Sequence, residues 1–536
     1  MKVSKTKKNT IKRLLISDLN LPAVKRSLAS LKNNSDFVPL SISALARSRA
    51  DWLYGINLTR AYTLQGQKQG FNSVLSVGRV QTPLLGLVVR REQEISEFVS
   101  KPFYQVLAHL SVNKQLESAE KTFTAKWQPS DACQQYCDEE GRVLVKALAM
   151  NVVNRITNQD AIVDNIKTED KQQAQPLPFN LSSLQIAAAT QFSMNAKLVL
   201  DVCQALYEKH KLITYPRSDC RYLPKEQLKQ APAIIKLLSN TDLPCAKQAL
   251  NADKNIKSKA WNDKKITAHH AIIPTEKSPS NSQLNSFEKN IYLLIVRQYL
   301  VQFYPIYLYQ QTTLSVKIAN GLFTTNAKME QQLGWKTLFP IRNDKKDNES
   351  QENVLPKLTK GQILHCQQGE LVEKHTSPPE SFTDATLLSA MTGIARFVSD
   401  PNIKKVLRDT DGLGTDATRA GIIDLLFKRN FLQRNGKKII ATEIGVALVN
   451  ALPTMATLPD MTAQWESLLT AISEKKASYL NFMQLLTHTV TEMVSGASQQ
   501  SFTGLPKVAF KPKGAKRQFK KKSSGTTRTN KRASGS

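Results

Sequence analysis

The chain has 536 residues, with 74 Lys and Arg against 44 Asp and Glu, a formal net charge of +30 at pH 7. That length supports roughly three or four folding units, and the surplus points to a polyanionic partner, because neutralised phosphates release their counterions. No apolar run reaches the roughly twenty residues that span a bilayer, and six scattered cysteines without a C-x-x-C pair argue against a disulfide framework and a zinc ribbon.

In chain order, residues 1–35 read as a basic start and an amphipathic helix, capped by Asp18 or Asn20, with Val24, Leu28 and Leu31 on one face. Residues 36–100 read as helical, with Ala44, Ala46, Trp52, Leu53 and Ile56 as apolar positions. FYQVLAHLSV and FTAKWQ alternate like strands, so 101–175 is expected to be β-rich, with a polar insertion at 128–142. The helical period returns over 176–289, strands recur over 290–375 (YLYQQTTLSVKI, LFTTNAKM, QILHCQ), and 376–498 is helical. Two strand-rich segments flanking a helical one predict a single sheet domain with a helical insertion. Asn435-Gly436 between FLQR and KKIIAT predicts a hairpin after a helix capped by Asp416, a winged-helix-like unit. The tail, 499–536, is basic and expected to be disordered. Residues 501–536 hold eleven Lys and Arg and no acid, which leaves +19 on the rest.

The chemistry concentrates in residues 181–224. Ser182 or Ser183 is expected to cap one helix, and a turn near Ser193 and Asn195 to open a second. Tyr215 precedes Pro216 and is expected to be extended, which puts Tyr215 and Arg217 on one face. A phenol with a pKa of about 10 is a poor nucleophile. A guanidinium beside it can hold a phosphate and stabilise the charge of an attack on a phosphodiester.

LYEKHKLITYPRSDCRYLP resembles the active-site segment of type IA DNA topoisomerases, most nearly the bacterial topoisomerase III branch. SVGRVQTPLLGLVVRREQEI, ADWLYGINLTRAYT before it, AHHAIIPT, FTDATLLSAM, TDGLGTDATRAGIIDLLFKRNFL and PDMTAQWE follow the family's order over about residues 15 to 495. The resemblance implies a multidomain α+β fold, an open arch or ring of helical, winged-helix-like domains and a β-rich arch. It implies ATP-independent cleavage of one DNA strand through a 5′-phosphotyrosine at Tyr215, strand passage and religation, for relaxation or decatenation. Arg217 would steady the phosphate and His269 assist, with a purely structural histidine as the alternative for His269 and still more for His270. Ser76, Val77, Gly78, Arg79, Val80 and Gln81 would line the strand's groove, with Asn57, Arg60 and Arg419 as further DNA contacts. The 128–142 insertion falls where topoisomerase III enzymes resemble one another in a loop linked to decatenation, but here it is acidic.

The family also carries magnesium on a Toprim domain with a D-x-D-x-E cluster. No such string occurs in this sequence. The expectation is therefore a chain without that N-terminal domain, with its magnesium ligands absent or on a Toprim-bearing partner in trans. Its setting would be the bacterial cytoplasm, at the nucleoid. No G-x-x-x-x-G-K-[ST] loop is present, so ATP is not expected. No histidine has Arg three residues on, as a tyrosine recombinase needs, and only His269 and His270 adjoin, which does not make a relaxase cluster. The alternative of another class is an inert single-stranded DNA-binding remnant, or one half of a split enzyme.

Overall fold

The structure is a computed structural model and describes residues 11–14, 21–112, 122–266, 269–279, 284–339, 355–398, 400–409 and 412–507. The expected caps Asp18 and Asn20, Ala268, and the basic residues from 508 onward lie outside them.

After a helix at Leu21–Ala29 comes α1 (Val38–Lys68), then α2 (Gln81–Ser96). Ser43, Ala46, Ala50, Tyr54, Leu58, Tyr62 and Gly66 form the buried stripe of α1. Of the apolar positions read from the sequence, Trp52 is 65% exposed and Ile56 also faces outward. Small residues at 43, 46 and 50 let neighbouring helices approach closely, and the Ser43 hydroxyl donates to Leu469 O (2.7 Å). In α2 the run Gln81–Val89 is buried on every side, as expected of a helix central to its lobe.

The strands β1 (Pro102–Ser111) and β2 (Thr122–Gln128) follow, then α3 (Lys146–Ile156) and β3 (Gln159–Gln173). The lobe that carries Tyr215, here the tyrosine lobe, includes the helices α4 (Leu181–Phe192), α5 (Ala196–Glu208) and α6 (Ser286–Leu300). The chain then returns through β4 (Tyr307–Ile318), β5 (Gly321–Gln332) and β6 (Ile363–His375). These six strands close an antiparallel barrel in the order β1-β2-β5-β4-β3-β6. Both strand-rich stretches thus build one body. Inward residues alternate along each strand (Val106, Ala108 and Leu110; Leu314, Val316 and Ile318). Ala149, Val152 and Ile156 of α3 are buried against β1 and β6.

The last helices are α7 (Asp384–Thr392), α8 (Asp416–Lys428), α9 (Glu443–Ala451), α10 (Asp460–Ser473) and α11 (Tyr479–Ala497), with a hairpin β7 (Leu432–Asn435) and β8 (Lys438–Ala441) after α8. Lys438 pairs with Asn435, so the two-residue loop is Gly436-Lys437, one position later than the sequence suggested. Gly436 supplies the positive φ of 58°. With α1 and α2 these helices make a second lobe, which meets the tyrosine lobe where α7 and α8 pack on α4 and α5. Barrel, tyrosine lobe and second lobe therefore form a circuit.

The two junctions of the barrel differ. Towards the tyrosine lobe, Gln175 Nε2 donates to Tyr304 O (2.6 Å), Gln302 Nε2 to Pro176 O (2.8 Å), Gln298 Nε2 to Leu177 O (2.8 Å) and Trp335 Nε1 to Gln173 O (3.0 Å). Towards the second lobe, exposed Ser100 and Lys101 bond only Thr376. No helix among the described residues is long and apolar enough to cross a membrane.

Candidate active site at Tyr215

A tight reversal presents Tyr215. After α5, Lys211 takes a left-handed φ of 58° and Leu212 N donates to Leu206 O (2.9 Å). Ile213 then bridges Pro274 in antiparallel register. Thr214 N donates to Ile273 O (3.0 Å). The Thr214 hydroxyl donates to Ala271 O (3.2 Å) and accepts from Ile273 N (3.0 Å). This short ladder aligns two segments far apart in sequence, and it brings the motif tyrosine and the motif histidine together. The rings of Tyr215 and His269 stack, with centroids 4.5 Å apart and planes at 23°.

Tyr207 stands edge-on to Tyr215 (5.8 Å), and Lys211 Nζ lies 5.7 Å from the Tyr207 ring. Tyr215 is half-buried and Arg217 exposed. The chain turns at Pro216 and Arg217, so the expected extended Tyr-x-Arg face is corrected: a turn, not a strand, sets their relation. Partial burial lowers the His269 pKa below the ordinary imidazole value, against the raising influence of Asp219. His270 is the structural histidine of the pair. It is buried, with Nδ1 2.8 Å from Ala271 O and Nε2 3.0 Å from Gln227 Nε2.

The loop after Tyr215 is pinned to the start of α4. Leu181 N donates to Ser218 O (2.9 Å), Asn180 Nδ2 to Asp219 O (3.0 Å), and Arg221 to Pro178 O (3.0 Å) and Leu177 O (2.9 Å). The cap of α4 is Asn180, not Ser182 or Ser183 as expected, with Ser183 completing a capping box. Asn-x-x-Ser before an apolar run was the available signal. Asn195 caps α5 as its sequence suggested. Thr415 caps α8, leaving Asp416 inside the first turn and buried.

The expected groove residues are largely inward. Ser76, Val77, Arg79 and Gln81 are buried, while Gly78 and Val80 are half-buried. Gln81 Nε2 donates to Ser76 O (2.7 Å), and Val77 N to Thr59 Oγ1 (3.0 Å). Arg79, 7% exposed, ion-pairs with Asp51 and with Glu466 (2.8 Å). Burial pulls its pKa down, and the two carboxylates more than reverse that. Arg419 is 1% exposed and pairs with Asp416. It also donates to Ser182 Oγ (2.8 Å), Gly414 O (2.8 Å) and Leu413 O (3.2 Å). Both arginines were expected as DNA contacts. In this structure Arg79 is paired with exposed Asp51 and partly buried Glu466, and Arg419 with buried Asp416, so both guanidinium groups point inward rather than to the surface. Asn57 and Arg60 are exposed on α1, as a surface contact requires.

Among the described residues no three His, Cys, Asp or Glu side chains cluster to hold a metal ion. The magnesium that the resemblance implies has no fit among them.

The family described as DNA topoisomerase matches residues 36–484. The chain is 50% identical over 531 residues to DNA topoisomerase 3 of Vibrio cholerae serotype O1, covering 97% of this chain and 81% of that protein. It is 52% identical over 493 residues to DNA topoisomerase 3 of Salmonella typhimurium, covering 92% and 75%. Full-length topoisomerase I from Thermotoga maritima shares the fold, with a TM-score of 0.63 at 19% identity over 90% of this chain and 73% of that one. The chain thus belongs to the type IA DNA topoisomerases, in the group of the DNA topoisomerase 3 enzymes.

Proposed function

We propose that this chain cuts one strand of DNA by transesterification at Tyr215, for relaxation or decatenation. The Tyr215 oxygen bonds to the phosphorus, the bond from phosphorus to the 3′-oxygen breaks, and the phenolic proton ends on the released 3′-hydroxyl. Reversal reseals the strand. The phosphotyrosine ester conserves the bond energy, so ATP is not required. Arg217, exposed two residues after the half-buried Tyr215, supplies the guanidinium that would bind the phosphate in this reading. The observation that carries the reading is the stack of Tyr215 on His269, built by the short ladder that aligns the two segments. The preferred substrate in this reading is single-stranded, because a phosphodiester must reach a phenol that is itself half-buried.

The test uses a labelled single-stranded oligonucleotide, with the chain alone and with a magnesium-binding Toprim domain added. Wild type should give a denaturant-resistant adduct in at least one arm and Tyr215→Phe in neither. An adduct with Tyr215→Phe would overturn the assignment. Binding without an adduct in both arms would make the chain a clamp rather than a nuclease-ligase.

A further inference from the structure

The contact between the two lobes has a buried polar centre. Asp416 on α8 accepts from the Ser182 hydroxyl and from Asn180 Nδ2 (3.0 Å), both belonging to the tyrosine lobe. Arg419, on the same turn of α8, pairs with Asp416 and donates to Ser182 Oγ (2.8 Å). Leu184 and Ala188 of α4 and Leu387, Leu388 and Met391 of α7 are buried in the same continuous core. One amide belongs to two networks. Asn180 Nδ2 carries two N–H bonds, one directed at Asp416 and one at the Asp219 carbonyl in the loop that follows Tyr215. Its Oδ1 meanwhile caps α4 by accepting from Ser183 N (2.9 Å).

Resting on Tyr215 as the nucleophile, we propose that Asn180 is a positioning residue that ties the Tyr215 loop to Asp416, so that closing the lobes steadies a loop otherwise held only by its bonds to the start of α4. Separating the lobes removes the Asp416 acceptor and leaves Asn180 with a single anchor. The Asp416–Arg419 pair stays whole on α8, because both residues lie on one helix. Water can replace the hydrogen bonds lost from Ser182 and Asn180, and a hydrogen bond exchanged for water changes little free energy.

Asn180→Ser tests this without losing the helix cap, since serine caps as well as asparagine but is too short to reach both acceptors. Dyes on the exposed Asn240 and Glu474 report the separation of the lobes, and the oligonucleotide adduct reports Tyr215. Asn180→Ser should increase the separated population and lower adduct formation about tenfold, as for loss of one hydrogen bond to a charged group, with Tm little changed. Exchanging the pair, Asn180→Asp with Asp416→Asn, restores the bond across the lobes but not the one to Asp219. It should recover the separation and not the adduct. Wild-type separation and wild-type adduct in Asn180→Ser would overturn the proposal, and so would recovery of both by the exchange. If the exchange does not fold, Asn180→Ser alone decides. A wild type without adduct would overturn the Tyr215 reading, while the dyes still decide whether Asn180 holds the lobes together.

Discussion

The imidazole of His269 lies face to face with the phenol ring of Tyr215, 4.5 Å between centroids. An imidazole donates and accepts in its own plane, so a stacked one serves a group beside the phenol rather than the hydroxyl along the stack. A phosphate oxygen seated next to Tyr215 is such a group.

His269→Phe keeps a ring on Tyr215 and removes both nitrogens. Adduct formation should fall about a hundredfold, the scale for losing one group that assists proton transfer or stabilises developing charge. Oligonucleotide affinity should change little. Undiminished adduct would reduce His269 to packing.

The same residue sets a pH dependence. Burial depresses its pKa, so the folded state binds fewer protons than the unfolded one just below the ordinary imidazole value of 6.5. Stability is then complete above that value and lost as pH falls through the depressed one. Urea midpoints at about pH 5.5 and about pH 7.5 should differ more for wild type than for His269→Phe. Asp219→Asn removes the opposing influence and should widen the wild-type difference.

Arg419→Ala leaves Asp416 buried without its guanidinium and should cost about 3–5 kcal/mol. Arg434→Ala, which breaks a more exposed pair with Asp384 (2.9 Å), should cost less than about 1 kcal/mol. Chemical denaturation of the two variants side by side checks the contrast. Equal losses would mean that Arg419 is not held as described.

Deleting residues 508–536 should flatten the dependence of log affinity for single-stranded DNA on log salt without abolishing binding, because it removes phosphate contacts only. Deletion from 501 should also lower Tm. Phe502 is buried against Tyr62 (6.2 Å between rings), and its N–H donates to Gln69 Oε1 (3.1 Å). The folded body therefore extends past the boundary at 499 that composition suggested. Loss of all binding in the shorter deletion would refute a DNA-binding body.

Much of the site was legible because its signals are local. Tyr215 and Arg217 sit within three residues, Asn195 caps its helix, and strand alternation marked five of the six barrel strands, β3 (Gln159–Gln173) being the one it missed. What was not legible depends on tertiary partners. Along α1, Leu40, Leu45, Trp52 and Leu64 are exposed while Tyr54, Leu58 and Tyr62 are buried. The helix has apolar residues on both sides, and periodicity alone cannot choose between them. Arg79 and Arg419 look like surface cations until Glu466 and Asp416 are placed beside them. Pairing of His375 with Pro102 closes the barrel across most of the chain, and no short pattern records it.

The unequal ends of the barrel carry a mechanical consequence. Six closed ladders have no free edge to shear, and the glutamines at the tyrosine-lobe end weld it to its neighbour. Compliance is then left to the pair of connectors at Ser100, Lys101 and Thr376. A rotation of about 20° there, acting over the ~50 Å length of a fifteen-residue strand such as β3, carries the tyrosine lobe through an arc of roughly 17 Å. The barrel is thus a boom pivoted at one end, and a modest bend at Ser100, Lys101 and Thr376 becomes a displacement comparable to the width of a nucleic-acid strand.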